Sequence, residues 1–261
     1  MFSIRATLIG ISFALAVSPL TAVTINQYNV TFAEDFDTLA LTTSSVVPTG
    51  WELNETGSGA NTTYGAGSGS SSTGNTYSFG GASSTDRALG TLRTSSVIST
   101  VGTIITNNTG DILTQLKIQY TGEQWRLGAL GRTDQLDFSY SLNATSVATG
   151  TWLDIDALDF IAPTTAGTLG ALDGNASDNR ATISYTLTGL SVAPGASLWF
   201  RWTDFEASGS DDGLAIDDFA ISAAPAAVAQ NVPENLPLTI VALVLGSLLV
   251  IDGTFRRQRV A

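Results

Sequence analysis

The sequence predicts an all-β chain, an antiparallel β-sandwich of the jelly-roll type, with an N-terminal signal peptide and a C-terminal transmembrane helix. Three observations carry the fold class: apolar and polar residues alternate with period two, strand-favouring Thr, Val, Ile and Tyr abound, and no stretch of the body offers a sustained helical apolar stripe. Leu116, Ile118 and Tyr120 alternate with Lys117 and Gln119, which predicts a half-buried strand. The same pattern recurs in Leu136, Phe138, Tyr140 and Leu142, in Ile183, Tyr185 and Leu187, and in Leu198, Phe200 and Trp202. Residues 57–81 are mostly Gly, Ser, Thr and Asn, broken by Tyr64, Tyr77 and Phe79. That stretch is too poor in apolar surface to build its own core, so a long loop is expected in preference to a pair of edge strands. No repeat of fixed period suggests a solenoid or propeller.

Composition restricts the chemistry. Across 261 residues there is no Cys, no His and one Lys, Lys117. Disulfides, thiol nucleophiles, imidazole bases and Cys- or His-ligated metals are excluded. Carboxylate, hydroxyl and carbonyl groups remain, which suit hard cations or a non-catalytic binding surface. Arg5, Arg256, Arg257 and Arg259 lie in the terminal segments, and the middle keeps seven basic and 21 acidic residues, a charge of −14. Such a body repels nucleic acid and anionic lipid, so neither is an expected partner.

The ends are expected to direct export. A basic start through Arg5, the apolar run Ala6 to Val17 and a small residue at Ala22 form a signal peptide over residues 1–22, the alternative being an uncleaved anchor. A sandwich domain over 23–222 and an Ala-rich linker over 223–231 lead to a tail over 232–261. In that tail an apolar run extends over 236–255 as a membrane helix, and the positive-inside rule keeps its arginines cytoplasmic, the alternative being a hydrophobic terminal helix packed on the domain.

Val232, Pro233, Glu234 and Asn235, the apolar segment, and the terminal cluster of Arg256, Arg257 and Arg259 together resemble the PEP-CTERM sorting signal of Gram-negative bacteria. The resemblance implies an exosortase-type processing enzyme as partner and a place at the cell surface or in the extracellular polymer matrix, membrane-anchored at least transiently. Asn235 stands where that family has a second proline. The body resembles a bacterial extracellular jelly-roll module through Phe32-Ala-Glu-Asp-Phe36, Pro48-Thr-Gly-Trp51, Ser84-Thr-Asp-Arg-Ala-Leu-Gly90, Tyr120-Thr-Gly-Glu-Gln-Trp-Arg126, Arg201-Trp-Thr-Asp204 and Asp211-Asp-Gly-Leu-Ala-Ile-Asp-Asp-Phe219. This second resemblance implies fold and location, with no defined reaction.

Two candidate sites follow from the residues. Glu34 and Asp35 at the first strand, with Asp212, Asp217 and Asp218 at the last, would converge if the terminal strands lie side by side, and a structural Ca²⁺ would relieve their repulsion. The alternative is that these acids face water and Asp217 pairs with an arginine such as Arg201. Trp125 and Trp199 fall on the outward parity of their strands and, with Arg126, are candidate saccharide contacts, the alternative for both tryptophans being core or inter-strand packing. Glu123, Gln124 and Asp204 are polar neighbours able to bind hydroxyls, while Trp51, Trp152 and Trp202 are expected in the core. No residue is assigned a catalytic role. The main expectation is a non-catalytic binding or structural surface protein, the alternatives a calcium-dependent carbohydrate-binding module and, further off, a glycoside hydrolase.

Overall fold

In a computed structural model, residues 22–225 are described. The signal segment 1–22 apart from its last residue, the apolar run 236–255 and the sorting residues Val232, Pro233, Glu234, Asn235, Arg256, Arg257 and Arg259 lie outside the described residues. Among the described residues no helix is long and apolar enough to cross a membrane. Fifteen strands form: β1 (Val23–Ile25), β2 (Thr31–Glu34), β3 (Trp51–Thr56), β4 (Tyr64–Gly67), β5 (Asn75–Phe79), β6 (Ala88–Leu92), β7 (Ile98–Asn107), β8 (Leu113–Leu127), β9 (Gln135–Ser141), β10 (Leu153–Asp154), β11 (Phe160–Ile161), β12 (Gly170–Ala171), β13 (Arg180–Val192), β14 (Ser197–Asp204) and β15 (Gly213–Ala223). Two single 3₁₀ turns, Asp156–Leu158 and Ser177–Asn179, are the helical elements among them.

The strands build two sheets. One has the order β1-β7-β14-β9-β10, with β3 also on β7 and β11 on β9. The other runs β12-β8-β15-β6-β5-β4, with β13 on β8 and β2 on β15. Successive strands from β6 to β9, and again from β13 to β15, switch sheets. The resulting orders, β6-β15-β8-β13 facing β7-β14-β9-β10, are the interleaved pattern of a jelly roll.

The alternation seen in the sequence sets the core. Leu116, Ile118 and Tyr120 of β8 meet Leu136 and Phe138 of β9 and Leu198, Phe200 and Trp202 of β14, all fully buried. An aromatic group centres this layer: Trp51 stacks on Trp202 with centroids 5.8 Å apart, and Phe219 stands edge-on to both. Tyr120 joins edge-on to Trp202 while its Oη donates to the carbonyl of Leu158 at 2.6 Å, so the one polar atom it buries is satisfied.

Departures from the sequence reading have local causes. The strand patterns overrun at their ends, where Leu142 is exposed beyond β9, and Tyr185 is exposed because β13 is an edge strand with no neighbour beyond it among the described residues. The segment 57–81 is not a long loop: it supplies β4 and β5, a parallel pair at the sheet edge. Its missing apolar surface is replaced by hydrogen bonds to a buried carboxylate. Glu55 of β3 accepts the Thr76 N–H at 2.6 Å, the Asn61 N–H at 3.0 Å and the Asn61 Nδ2 at 2.9 Å. The final strand runs to a buried Ala223, one residue past the sequence boundary, where Ala223 accepts the Asn29 N–H at 2.8 Å.

Close packing makes a few glycines necessary. At Gly122 on the core face of β8, an added Cβ would stand 2.1 Å from the Phe160 ring. Gly122→Ala is therefore expected to destabilise the domain by about 1–3 kcal/mol, read as a lower denaturant midpoint at unchanged slope. An unchanged midpoint would show that Phe160 moves aside freely.

Candidate functional site

One end of the sandwich concentrates charge. Asp134, completely buried beside β9, holds Arg132 at 2.9 Å, and Arg132 also reaches Asp212 at 3.2 Å. Asp212 accepts the Gly128 N–H at 2.6 Å and Gln124 Nε2 at 2.8 Å, while its own N–H donates to Asp134 at 2.6 Å. These bonds pin the turn before β15 onto the end of β8. At the end of β14, Asp204 accepts the Thr91 hydroxyl at 2.8 Å through one oxygen, and its other oxygen is buried without a donor. Burial, with Asp134 close by, holds the Asp204 carboxyl well above the usual range. Burial likewise pushes Asp211 and Asp212 up to about 6, against the pull of Arg132.

Next to this network lies an open polar cleft of about 260 Å³. Its walls are Arg93 from the end of β6, Arg126 from the end of β8, Glu206, Ser210 and Asp211 from the loop before β15, and Ser72 from the loop before β5. Arg93 pairs with Glu206, whose side chain is 62% exposed, and donates to the Asp204 carbonyl at 2.9 Å. Arg126 is fixed by the Gly69 carbonyl at 3.0 Å. The cleft thus presents two guanidiniums and two carboxylates, a locally balanced set in a strongly acidic body. Of the sequence-derived ligand contacts, only Arg126 lines it.

The two tryptophans expected beside Arg126 are off the core face, as parity indicates, yet Trp125 is 2% and Trp199 3% exposed. Neither offers a face to a ligand. Trp125 belongs to a second apolar cluster on the outer face of its sheet, with Tyr77, Phe79, Ala88, Leu92 and Ala215. Phe79 stacks parallel to it at 6.1 Å, and Gly174 approaches so closely that a Cβ there would stand 2.4 Å from the indole. Trp152, expected in the core, is instead half-buried under the Arg201 guanidinium, 4.0 Å from its centroid.

The five acids expected to share one cation fall into three places. β2 does pair with β15, placing Glu34 opposite Phe219. Glu34, Asp35 and Asp218 border one depression of about 300 Å³ with Thr38. Asp217 points to the outer face of the sheet, and Asp212 sits in the Arg132 network. The cause is a bulge: between the Asp217–Thr121 and Ala220–Gln119 pairs, β15 has one residue more than β8, and Asp218 adopts φ +48° there. Among the described residues no group of three or more acidic side chains is arranged to hold a metal ion. Asp217 does not meet Arg201 either, since Arg201 lies on the other sheet and donates to Ser139 at 3.0 Å and to the Val147 carbonyl at 3.2 Å.

What Asp217 does meet is Glu123, one pair along β8, where Ala215 is opposite Glu123. Both are nearly inaccessible, Glu123 at 1% and Asp217 at 5%. Burial raises Glu123 to about 7 and, with Glu123 as the next cause, Asp217 to about 8. The charge sparsity of the body was the available signal for the cleft: three of its seven basic residues, Arg93, Arg126 and Arg132, lie at one end. Nothing in the sequence marks Glu206, whose position depends on a loop.

No family model matches the chain, and no curated protein matches it. Several solved structures are similar in fold. The K3 cleaved adhesin domain of Lys-gingipain from Porphyromonas gingivalis w83 has 13% identity over 74% of this chain and 98% of that one, with a TM-score of 0.41. A family 11 carbohydrate-binding module from Clostridium thermocellum, in complex with a mixed-linked tetrasaccharide, has 11% identity over 74% and 96%, with a TM-score of 0.33. The enzymatically active domain of bacteriophage CBA120 tailspike protein 4 has 13% identity and a TM-score of 0.33, and the match, over 67% of this chain, spans 19% of that one.

The raised carboxyls fix the sign of a pH effect. Each binds its proton more tightly in the folded chain than in the unfolded one, whose carboxylates titrate near about 4. Their stabilisation is complete below that range and is lost as pH rises through about 6 for Asp211 and Asp212, about 7 for Glu123 and about 8 for Asp217. In metal-free buffer the melting temperature is expected to fall steadily between pH 5 and 8.5, and Asp217→Asn to flatten the upper part of that fall. A flat wild-type profile would contradict the assignment.

Proposed function

We propose that this chain is an exported, non-catalytic saccharide-binding β-sandwich whose ligand site is the cleft between Arg93, Arg126, Glu206 and Asp211. The observation that carries the reading is the cleft itself: guanidinium donors and carboxylate acceptors converge on a charge-balanced, serine-fringed hollow of about 260 Å³. Neutral polyhydroxylated rings offer adjacent donors and acceptors and match such a lining without needing a counter-charge. The volume falls below the roughly 300–1,000 Å³ of pockets that engulf drug-sized ligands, so one ring or a chain end is the fitting occupant. Binding is the reading taken over hydrolysis because both carboxylates of the cleft are held in structural contacts, Glu206 in an ion pair with Arg93 and Asp211 by the Ala207 N–H at 3.1 Å.

Affinity electrophoresis of the full chain against bacterial and algal polysaccharides tests this. Retardation by at least one polymer is expected, weakened at least about tenfold by Glu206→Ala and by Arg93→Ala, the loss typical of a hydrogen bond to a charged group. No retardation by any polymer, or retardation that both variants retain in full, would overturn the reading.

Location belongs to the same proposal. The leader over 1–22 and the tail over 232–261 would export the chain and hold it in the membrane until an exosortase-type enzyme processes it, with the acidic body outside. Fractionation of cells carrying a body-tagged full chain is expected to find it with membranes and the surface, and deletion of 232–261 to release it into the medium. Retention of both forms in the cytoplasm would overturn the assignment.

A further inference from the structure

The outer face of the second sheet carries a polar patch that neither the core nor the cleft uses. Glu123 comes from β8, Asp217 from β15, Asp86 from the turn before β6, and Asn175 from the loop after β12. Glu123 and Asp217 are diagonal neighbours on this face, since Ala215 lies opposite Glu123 and Asp217 opposite Thr121. Their hydrogen bonds do not balance. Glu123 Oε2 accepts Trp125 Nε1 at 2.9 Å, but Oε1 is buried with no donor. Arg180 Nη1 stands 3.9 Å from it, beyond hydrogen-bond reach, on a side chain that is 44% exposed. Asn175 Nδ2 donates to Asp86 at 3.1 Å, while Asn175 Oδ1 is also buried with no donor. Asp217 Oδ1 receives only the adjacent Asp218 N–H, at 2.8 Å.

The patch is therefore a set of oxygen acceptors, two of them orphaned, among several carboxyls with one cation, Arg180, at long ion-pair distance. Buried acceptors without donors cost about 1–3 kcal/mol each, and more where the group is charged. A water would donate hydrogen bonds but leave the charge uncompensated. A hard divalent cation supplies both: calcium takes six to eight oxygens in flexible geometry, including carboxylates, amide carbonyls and waters, whereas magnesium demands a stricter octahedron. We propose that Glu123, Asp217 and the Asn175 amide oxygen hold one calcium-class cation on this face, with water filling the remaining positions. Two carboxylates and an amide suffice, so the site requires no triad of acids. The set differs from the one read from the sequence, sharing only Asp217 with it.

The consequence is structural. Asn175 follows Gly174, which packs on the Trp125 ring, and Trp125 is bonded to Glu123. A cation bridging Glu123 and Asn175 would clamp this loop over the aromatic stack of Trp125, Phe79 and Tyr77. The inference is independent of saccharide binding, since none of its ligands lines the cleft.

Calcium titration of the full chain after EDTA treatment and dialysis decides the matter, followed by calorimetry and by thermal melting. Binding of one ion per chain in the range of about 10⁻⁴–10⁻³ M typical of extracellular modules is expected. At 10 mM Ca²⁺ that corresponds to a rise of about 3–10 °C in melting temperature. Asn175→Ala, in an exposed loop, is expected to weaken binding at least about fivefold with the fold intact, and Asp217→Asn to abolish the shift. Glu34→Gln should leave it unchanged. No calcium-dependent shift in the wild type, or a shift that survives both Asn175→Ala and Asp217→Asn, would overturn the proposal, as would loss of the shift in Glu34→Gln alone.

Discussion

Everything about the placement of acids in this molecule depends on how β15 changes neighbours. Its first half pairs with β6 from Gly213 to Ile216, its second half with β2 from Phe219 to Ser222, and β8 runs along its other edge throughout. The extra residue falls at the hand-off. A strand in perfect register would send Ile216 and Phe219 to opposite faces, since side chains alternate with period two. The bulge lets both face inward, so the core receives Leu214, Ile216, Phe219 and Ile221 without a break. The same irregularity divides Asp217 from Asp218, one held on the outer patch beside Glu123 and the other exposed near Glu34.

A second bulge acts on β8. Gly213 pairs with Arg126 and Leu214 with Gln124, leaving Trp125 as the extra residue. Its ring lies flat against Phe79 under Gly174 and adds apolar burial on the face of the sheet that would otherwise be wet. The sheet is thus covered on both sides over this part of its area, by the opposing sheet within and by loops without. The next residue, Arg126, stands at the rim and is part of the cleft.

What the sequence discloses and what it hides follow from the range of the interactions involved. Parity is local, so Leu116 to Tyr120, Leu136 to Phe138 and Leu198 to Trp202 were legible as core strands, and the pairing of the terminal strands followed from the expected architecture. Bulges are not visible in composition, because one extra residue is defined only against its partner strand. For Trp125 and Trp199 the packing alternative holds over the saccharide one for a related reason: parity assigns a face, whereas burial depends on which loop covers that face. Residues 57–81 were misread because the carboxylate that orders them, Glu55, sits on another strand. The cleft combined both difficulties, with only Arg126 anticipated and Arg93, Glu206 and Asp211 joined to it by loops distant in sequence.

The distribution of cations separates the two sites by chemistry. With seven basic residues for 21 acids in the body, each arginine has a consequence. Arg87 is bound to Ser78, Arg201 to Ser139 and Trp152, and Arg132 to the Asp134 and Asp212 pair, where a buried guanidinium meets two carboxylates. Arg93 and Arg126 stand at the cleft, where they balance Glu206 and Asp211. Glu123 and Asp217 are as deeply buried as Asp212 but have only Arg180 at 3.9 Å. With that one long ion pair to a part-exposed side chain, a buried carboxylate pair either keeps a proton or acquires a cation from solution. The burial that raises these two carboxyls in metal-free buffer also leaves Glu123 Oε1 without a donor, so a cation from solution would supply what the protein does not.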